Sequence, residues 1–184
     1  MSTLSIIKQY LLESENKPYR KRVEIYCVDN NMILGGNYSD GSFGVYGGGL
    51  DNDNIIEAAK REFEEESGYT LLNVKKLPFP SYKIEWNDTH PLLQDKSKNF
   101  GKDKELADQI EERRKKYRGS EVIFVSGSLG QKGNKSKGVE GYTSLKNIRF
   151  YNLSEIKTMK SNTTDKSLVG VIKIRIKICE YLLK

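Results

Sequence analysis

The sequence predicts an α/β fold, and three observations carry that expectation. Polar and apolar residues alternate through Arg22–Val28, as in a strand with two unlike faces. A glycine-rich segment, Gly47–Gly49, is soon followed by a stretch at residues 54–67 whose apolar residues recur at helical spacing. Short apolar runs then alternate with polar connections before a long apolar C-terminal segment.

In chain order, Leu4, Ile7 and Leu11 stand at helical spacing and predict a short opening helix. The strand at Arg22–Val28 turns at Asp29-Asn30-Asn31 and returns through Met32–Leu34. After a loop at residues 37–42, Phe43–Tyr46 is a brief strand that delivers the chain to the glycines. The helix over residues 54–67 starts on Asn54 with Glu57, a pattern like a capping box, and stops at Gly68. Ile56, Ala59 and Phe63 form its apolar stripe. Leu71–Leu77 and Tyr82–Trp86 read as strands interrupted by Pro78-Phe79-Pro80, and Glu121–Ser126 and Ile148–Tyr151 as two more. Residues 87–119 are a polar insertion with a helix expected over Lys104–Tyr117, ending in the basic run RRKKYR. The last segment is ambiguous. Ile172, Ile174, Ile176 and Ile178 alternate as in a strand, while Leu168, Val171, Ile172, Cys179, Leu182 and Leu183 fit a helical face.

At 184 residues the chain is read as one domain, 1–184, large enough for a real core. Apolar residues are 36% and charged residues 30%, the balance of a soluble globular chain. No stretch approaches the roughly 18 apolar residues of a membrane span, and the N-terminus does not read as a secretory signal. Cys27 and Cys179 read as two reduced thiols of a cytoplasmic protein. With His90 the only histidine, no Cys/His zinc cluster can form. The net charge of +6 attracts polyanions, nucleotides and nucleic acid included, and equally reads as a lysine-rich solvated surface.

Glu62, Glu65 and Glu66 are i, i+3 and i+4, so they share one face of the central helix. Three neighbouring carboxylates repel one another by a few tenths of a kcal/mol per exposed pair. A hard divalent cation such as Mg²⁺ turns that repulsion into binding and shares its remaining positions with substrate phosphates. Residues 47–69, GGGLDNDNIIEAAKREFEEESGY, resemble the Nudix box: G, five residues, E, seven residues, then R-E-U-x-E-E-x-G-U, with U bulky and apolar. Arg61, Glu62, Phe63, Glu65, Glu66, Gly68 and Tyr69 match the second half at every fixed position. The first half departs. Asp53 takes the first acidic position if Gly47 opens the box; Asn54 takes it if Gly47-Gly48 is the glycine pair. Tyr46 stands where a proline usually precedes the glycines.

The resemblance covers roughly residues 20–86 and 120–184. It implies an α/β/α sandwich, a mixed sheet between helices, with the last segment helical. It also implies a hydrolase, dependent on Mg²⁺ or Mn²⁺, that cleaves the pyrophosphate linkage of a nucleoside diphosphate joined to a further group X. Glu62, Glu65 and Glu66 become metal ligands, Glu65 and Glu66 also catalytic, and Arg61 orients a box carboxylate through a forked ion pair. Gly47, Gly48 and Gly49 permit a tight turn and close approach to the pyrophosphate. Many members draw a further acid, ligand or general base, from a loop after the fourth or fifth strand. Glu140, in Lys137–Gly141, is the candidate here, with Glu111, Glu112 and Glu121 as rivals. Tyr82 and Trp86 could stack on a base, though strand aromatics are more often core. Pro78–Ser81 is similar to the tail of the NADH pyrophosphatase signature, but the SQPW half is absent and the match reads as chance. Two other readings stay open: an RNA 5′-end decapping hydrolase, guided by Arg113, Arg114, Lys115, Lys116 and Arg118, and a catalytically silent nucleotide-binding module. The expected partner is a nucleotide-type small molecule; RNA and a second copy of the chain stay open, and a membrane does not.

Overall fold

Strand β1 (Tyr19–Asp29) shows how the sequence builds the sheet. Its middle, Val23–Cys27, is buried throughout despite its alternating chemistry. Val23, Ile25 and Cys27 join a core with Ala58, Ala59 and Phe63 of helix α1 (Ile55–Ser67). The opposite face carries Glu24, whose carboxylate meets Arg175 of helix α3 (Lys166–Leu182). A strand covered by helices on both sides has no solvent face, and this is the core of an α/β sandwich.

The structure is a computed structural model, and it describes residues 16–38, 40–51, 54–86, 112–133, 145–159 and 166–184, with side chains of the last stretch from residue 169. The remaining elements are β2 (Met32–Asn37), β3 (Phe43–Gly44), β4 (Tyr46–Gly49), β5 (Tyr69–Lys76), β6 (Tyr82–Glu85), β7 (Gly119–Lys132), β8 (Lys146–Tyr151) and α2 (Leu153–Thr158). The sheet runs β3-β2-β1-β7-β5, with β4 on β1 and β8 on β2. The β1–β2 hairpin pairs Asp29 with Met32. Its turn holds Asn30 (φ 45°) and Asn31 (φ 58°) in the left-handed region, which asparagine tolerates and tight hairpins require.

Helix α1 has the expected ends. The Asn54 side chain accepts from the backbone N–H groups of Ile56 and Glu57 at 3.0 Å, and Gly68 closes the helix at φ 76°. The buried face differs by a step from the predicted stripe: Ala58, Ala59 and Phe63 are buried and Ile55 packs beside them, while Ile56 does not join this cluster. Tyr46 meets Phe63 edge to face at 5.3 Å.

Three further expectations shift. Strand β7 extends well past Glu121–Ser126 because β5 pairs along it, Leu71 opposite Leu129 and Tyr69 opposite Lys132. Backbone pairing, not apolar content, sets its length. The last segment is helical, its isoleucine alternation notwithstanding: Val171, Ile178, Cys179 and Leu183 are buried and repeat as one helical face. Helix α2 begins with a full capping box between Asn152 and Glu155. Cys27 and Cys179 are free and buried, and burial pushes both thiols up to about 12.

Packing separates two compact units, one drawn from Lys21–Tyr82 and Val122–Lys184, the other from Met1–Arg20 and Lys83–Glu121. In the smaller unit Arg118 bonds Glu85 at 3.1 Å and stands over the ring of Tyr19, whose hydroxyl also donates to Glu85. Residues 112–116 are helical, which places Arg113–Lys116 on a helical turn where Lys115 pairs with Glu112 at 2.6 Å. The rest of the expected insertion helix and the Leu4–Leu11 helix lie outside the described residues. No helix among the described residues is long and apolar enough to cross a membrane.

Candidate active site

Helix α1 presents its acidic residues toward strand β4, and the glycines of β4 are what let it approach. A β-carbon on Gly48 would fall on the carboxylate of Glu62. A β-carbon on Gly47 would strike the carbonyl oxygen of Val23 on the neighbouring strand. Gly47 and Gly48 pair with Glu24 and Val23, and Gly49 with Arg22, as an antiparallel ladder. This corrects the expected tight turn. Gly47, Gly48 and Gly49 are extended strand residues, and the need for glycine at Gly47 is steric room beside the Val23 backbone, not an unusual φ.

Arg61 gathers the site. Its guanidinium donates to Glu62 at 2.8 Å, to the Gly49 carbonyl at 3.1 Å and to Asp51 at 3.3 Å, with Glu65 at 3.7 Å. The expected fork onto one carboxylate is therefore spread over three acids and a backbone oxygen. Asp51 was not foreseen; its only sequence trace is its place just after the glycines, where it adopts φ 48°. Glu62 is the more enclosed of Arg61's helical partners, at 14% exposure against 29% for Glu65.

Among the described residues Glu66 is the most perturbed acid. Burial raises its carboxyl to about 7; the Gly47 N–H, donating at 3.2 Å, opposes the shift, Glu62 and Glu65 add to it, and Arg22 pulls the other way. A carboxyl poised near neutrality beside two others is a common signature of a functional site.

As a metal centre the donor set fits a hard divalent ion in chemistry: oxygen ligands only, anionic and clustered beside backbone that approaches closely. The side-chain arrangement does not yet close around one. Among the described residues no three acidic, histidine or cysteine side chains form a ready ligand cluster. Arg61 and the Gly47 amide hold the carboxylates instead.

The structure thus brings together Arg61, Glu62, Glu65, Glu66 and Gly47–Gly49. Glu112 and Glu121 belong to the smaller unit. Glu140, Glu111 and Asp53 lie outside the described residues, and Asn54, the alternative to Asp53, is the helix cap. A cavity of about 370 Å³ lined by Glu64, Thr70, Leu72, Gln131, Lys132 and Gly133 lies apart from this chemistry. Glu64 is two residues from both Glu62 and Glu66 and so points to the other side of the helix.

A mixed sheet between helices, with an extended glycine strand set against a helix bearing REFEEESG, agrees with the fold that the resemblance to the Nudix box implies. Comparison with known structures bears this out for the fold. The chain is similar to an ADP compounds hydrolase (15% identity, TM-score 0.53, 90% of this chain and 76% of that one). It is likewise similar to a Nudix hydrolase from Nitrosomonas europaea (15% identity, TM-score 0.51, 88% and 90%). No protein-family model and no curated protein sequence matches the chain.

Proposed function

We propose that this chain, as a single domain over 1–184, is a Nudix hydrolase that cleaves the pyrophosphate linkage of a nucleoside diphosphate joined to a group X, using Mg²⁺ or Mn²⁺. The observation that carries the reading is the meeting of the box glutamates with the β4 glycines, where Glu66 sits near neutrality against the Gly47 amide. Glu62, Glu65 and Glu66 would hold the ion. When bound, it supplies neutralisation of phosphate charge and a more acidic attacking water. Arg61 positions Glu62 and Glu65 and ties them to the Gly49 carbonyl. Glu140 stands as the candidate extra acid on its sequence position.

The similarity to an ADP compounds hydrolase makes ADP-linked compounds the first substrates to try. The competing reading, a silent nucleotide-binding module, draws on the separation of the carboxylates by Arg61 and the Gly47 amide. One screen decides between them: the protein with Mg²⁺ or Mn²⁺ against ADP-ribose, NAD(H), nucleotide sugars, diadenosine polyphosphates, nucleoside triphosphates and capped RNA. The expected result is release of a nucleoside monophosphate from at least one diphosphate-linked compound. Glu66→Gln should lower that rate by roughly 10²–10³-fold, the cost of one preorganised charge at the reacting phosphate. Turnover of none of them by the parent protein would leave only the binding module.

A further inference from the structure

Asp51 stands apart from the acids that helix α1 gathers. It lies two residues past the end of β4, at φ 48°, and its carboxylate accepts from the Arg61 guanidinium at 3.3 Å. A left-handed aspartate is uncommon. The side chain is 59% exposed, where an ion pair adds little to stability. Stability is therefore a weak reason for this pairing, and its place on Arg61 points to another.

The guanidinium is used at both ends, and the two ends face different parts of the chain. Nη1 donates to Glu62 at 2.8 Å and lies 3.7 Å from Glu65, both on α1. Nη2 donates to the Gly49 carbonyl at 3.1 Å and to Asp51, on β4 and the turn that follows it. The fork is planar and rigid, so fixing Nη2 fixes where Nη1 can go. Nη1 holds two of the three glutamates that would ligate a divalent ion. Glu62 and Glu65 can turn to an ion only if Nη1 releases them. An arginine held by α1 alone would follow its carboxylates and keep its charge among them. The second attachment, to Gly49 and Asp51, lies outside the ligand set and survives that release. Of its two members the Gly49 carbonyl is neutral, and Asp51 carries the charge that can balance the guanidinium once the glutamates are engaged.

We propose that Asp51 is a positioning residue: it anchors Arg61 on the β4 side so that Glu62 and Glu65 can be given over to a divalent metal ion. The proposal rests on the hydrolase reading above. Its test is the binding of Mn²⁺ alone, without substrate, followed by loss of the free-ion electron paramagnetic resonance signal. Asp51→Asn should weaken Mn²⁺ binding about tenfold, the low end for a group that orients a ligand through its partner. Asp51→Glu keeps the charge and should recover most of that loss. In an Arg61→Gln background Asp51→Asn should change Mn²⁺ affinity less than about twofold, because nothing is left to anchor. The melting temperature of Asp51→Asn in chelator should move by no more than about 2–4 °C, as for an exposed ion pair. Parent-like Mn²⁺ affinity in Asp51→Asn would overturn the proposal and leave the hydrolase standing. An equal loss in the Arg61→Gln background would also overturn it, since Asp51 would then act on the ion directly. A fall of many degrees in melting temperature would assign Asp51 to the fold instead. A parent that binds no Mn²⁺ would remove the metal reading together with this proposal. Asp51-dependent Mn²⁺ binding in a protein that hydrolyses nothing would keep Asp51 and defeat the hydrolase.

Discussion

Gly47 has a glutamate on each side, and the fold treats the two in opposite ways. Glu24 is its partner across the β1–β4 ladder; Glu66 accepts the hydrogen of its amide. Glu24 is neutralised by the chain itself. Burial works against the charge of Arg175, and the facing Glu24 carboxylate more than restores it. Glu66 receives one backbone hydrogen bond, the pull of Arg22 and two like-charged neighbours, and burial lifts it to about 7. A carboxylate that a fold needs for itself is given its counter-ion. A carboxylate left short of one is held in readiness for something that arrives later.

The largest expected effects come from exchanging these roles. Glu24→Gln leaves Arg175 buried without its anion and should cost about 3–5 kcal/mol, a fall of roughly 6–20 °C in melting temperature. Pairing it with Arg175→Met should recover most of that loss, because the uncompensated charge goes with it. Glu66→Gln should lower hydrolysis by roughly 10²–10³-fold and leave the fold intact. If Glu24→Gln melts like the parent, the contrast between the two glutamates collapses.

A smaller effect sharpens the comparison through pH. Folding raises the Glu66 carboxyl from 4.5 to about 7. Its contribution to stability is therefore fully present below pH 4.5 and is lost as pH rises through 7. In chelator, parent and Glu66→Gln should melt alike below pH 4.5, and the variant should melt a few degrees higher above pH 7. A gap that does not widen with pH would mean that Glu66 is not strained by its surroundings.

The smallest effect concerns the smaller unit. Replacing Arg113, Arg114, Lys115 and Lys116 with serine should raise KM modestly for a phosphate-rich substrate and leave kcat nearly unchanged. The pairing of Lys115 with Glu112 and of Arg118 with Glu85 limits how much of this charge is available. If capped RNA is the substrate, the same change should flatten the salt dependence of binding. No change in KM or in salt slope would return the run to a solvated surface.

Much of this was legible in the residues. Asn54 and Gly68 state where helix α1 begins and ends, because a side-chain oxygen and a left-handed glycine satisfy orphaned backbone groups locally. The spacing of Arg61, Glu62, Glu65 and Glu66 puts the acids on one helical face without reference to anything else in the chain. The two asparagines at the β1–β2 turn are equally local. The choice between strand and helix after residue 166 was not local, since the isoleucine alternation serves both; burial of Val171, Ile178 and Cys179 on one helical face decided it. Nor did the sequence reveal why Gly47 is a glycine, because the atom that excludes a side chain there, the Val23 carbonyl oxygen, arrives from a neighbouring strand. The same holds for charge. Composition counts arginines and glutamates, but only the packing of α3 on β1 gives Glu24 to Arg175. Short-range hydrogen bonding writes itself into sequence; electrostatic partnership between residues 24 and 175 depends on tertiary packing that neither segment encodes alone.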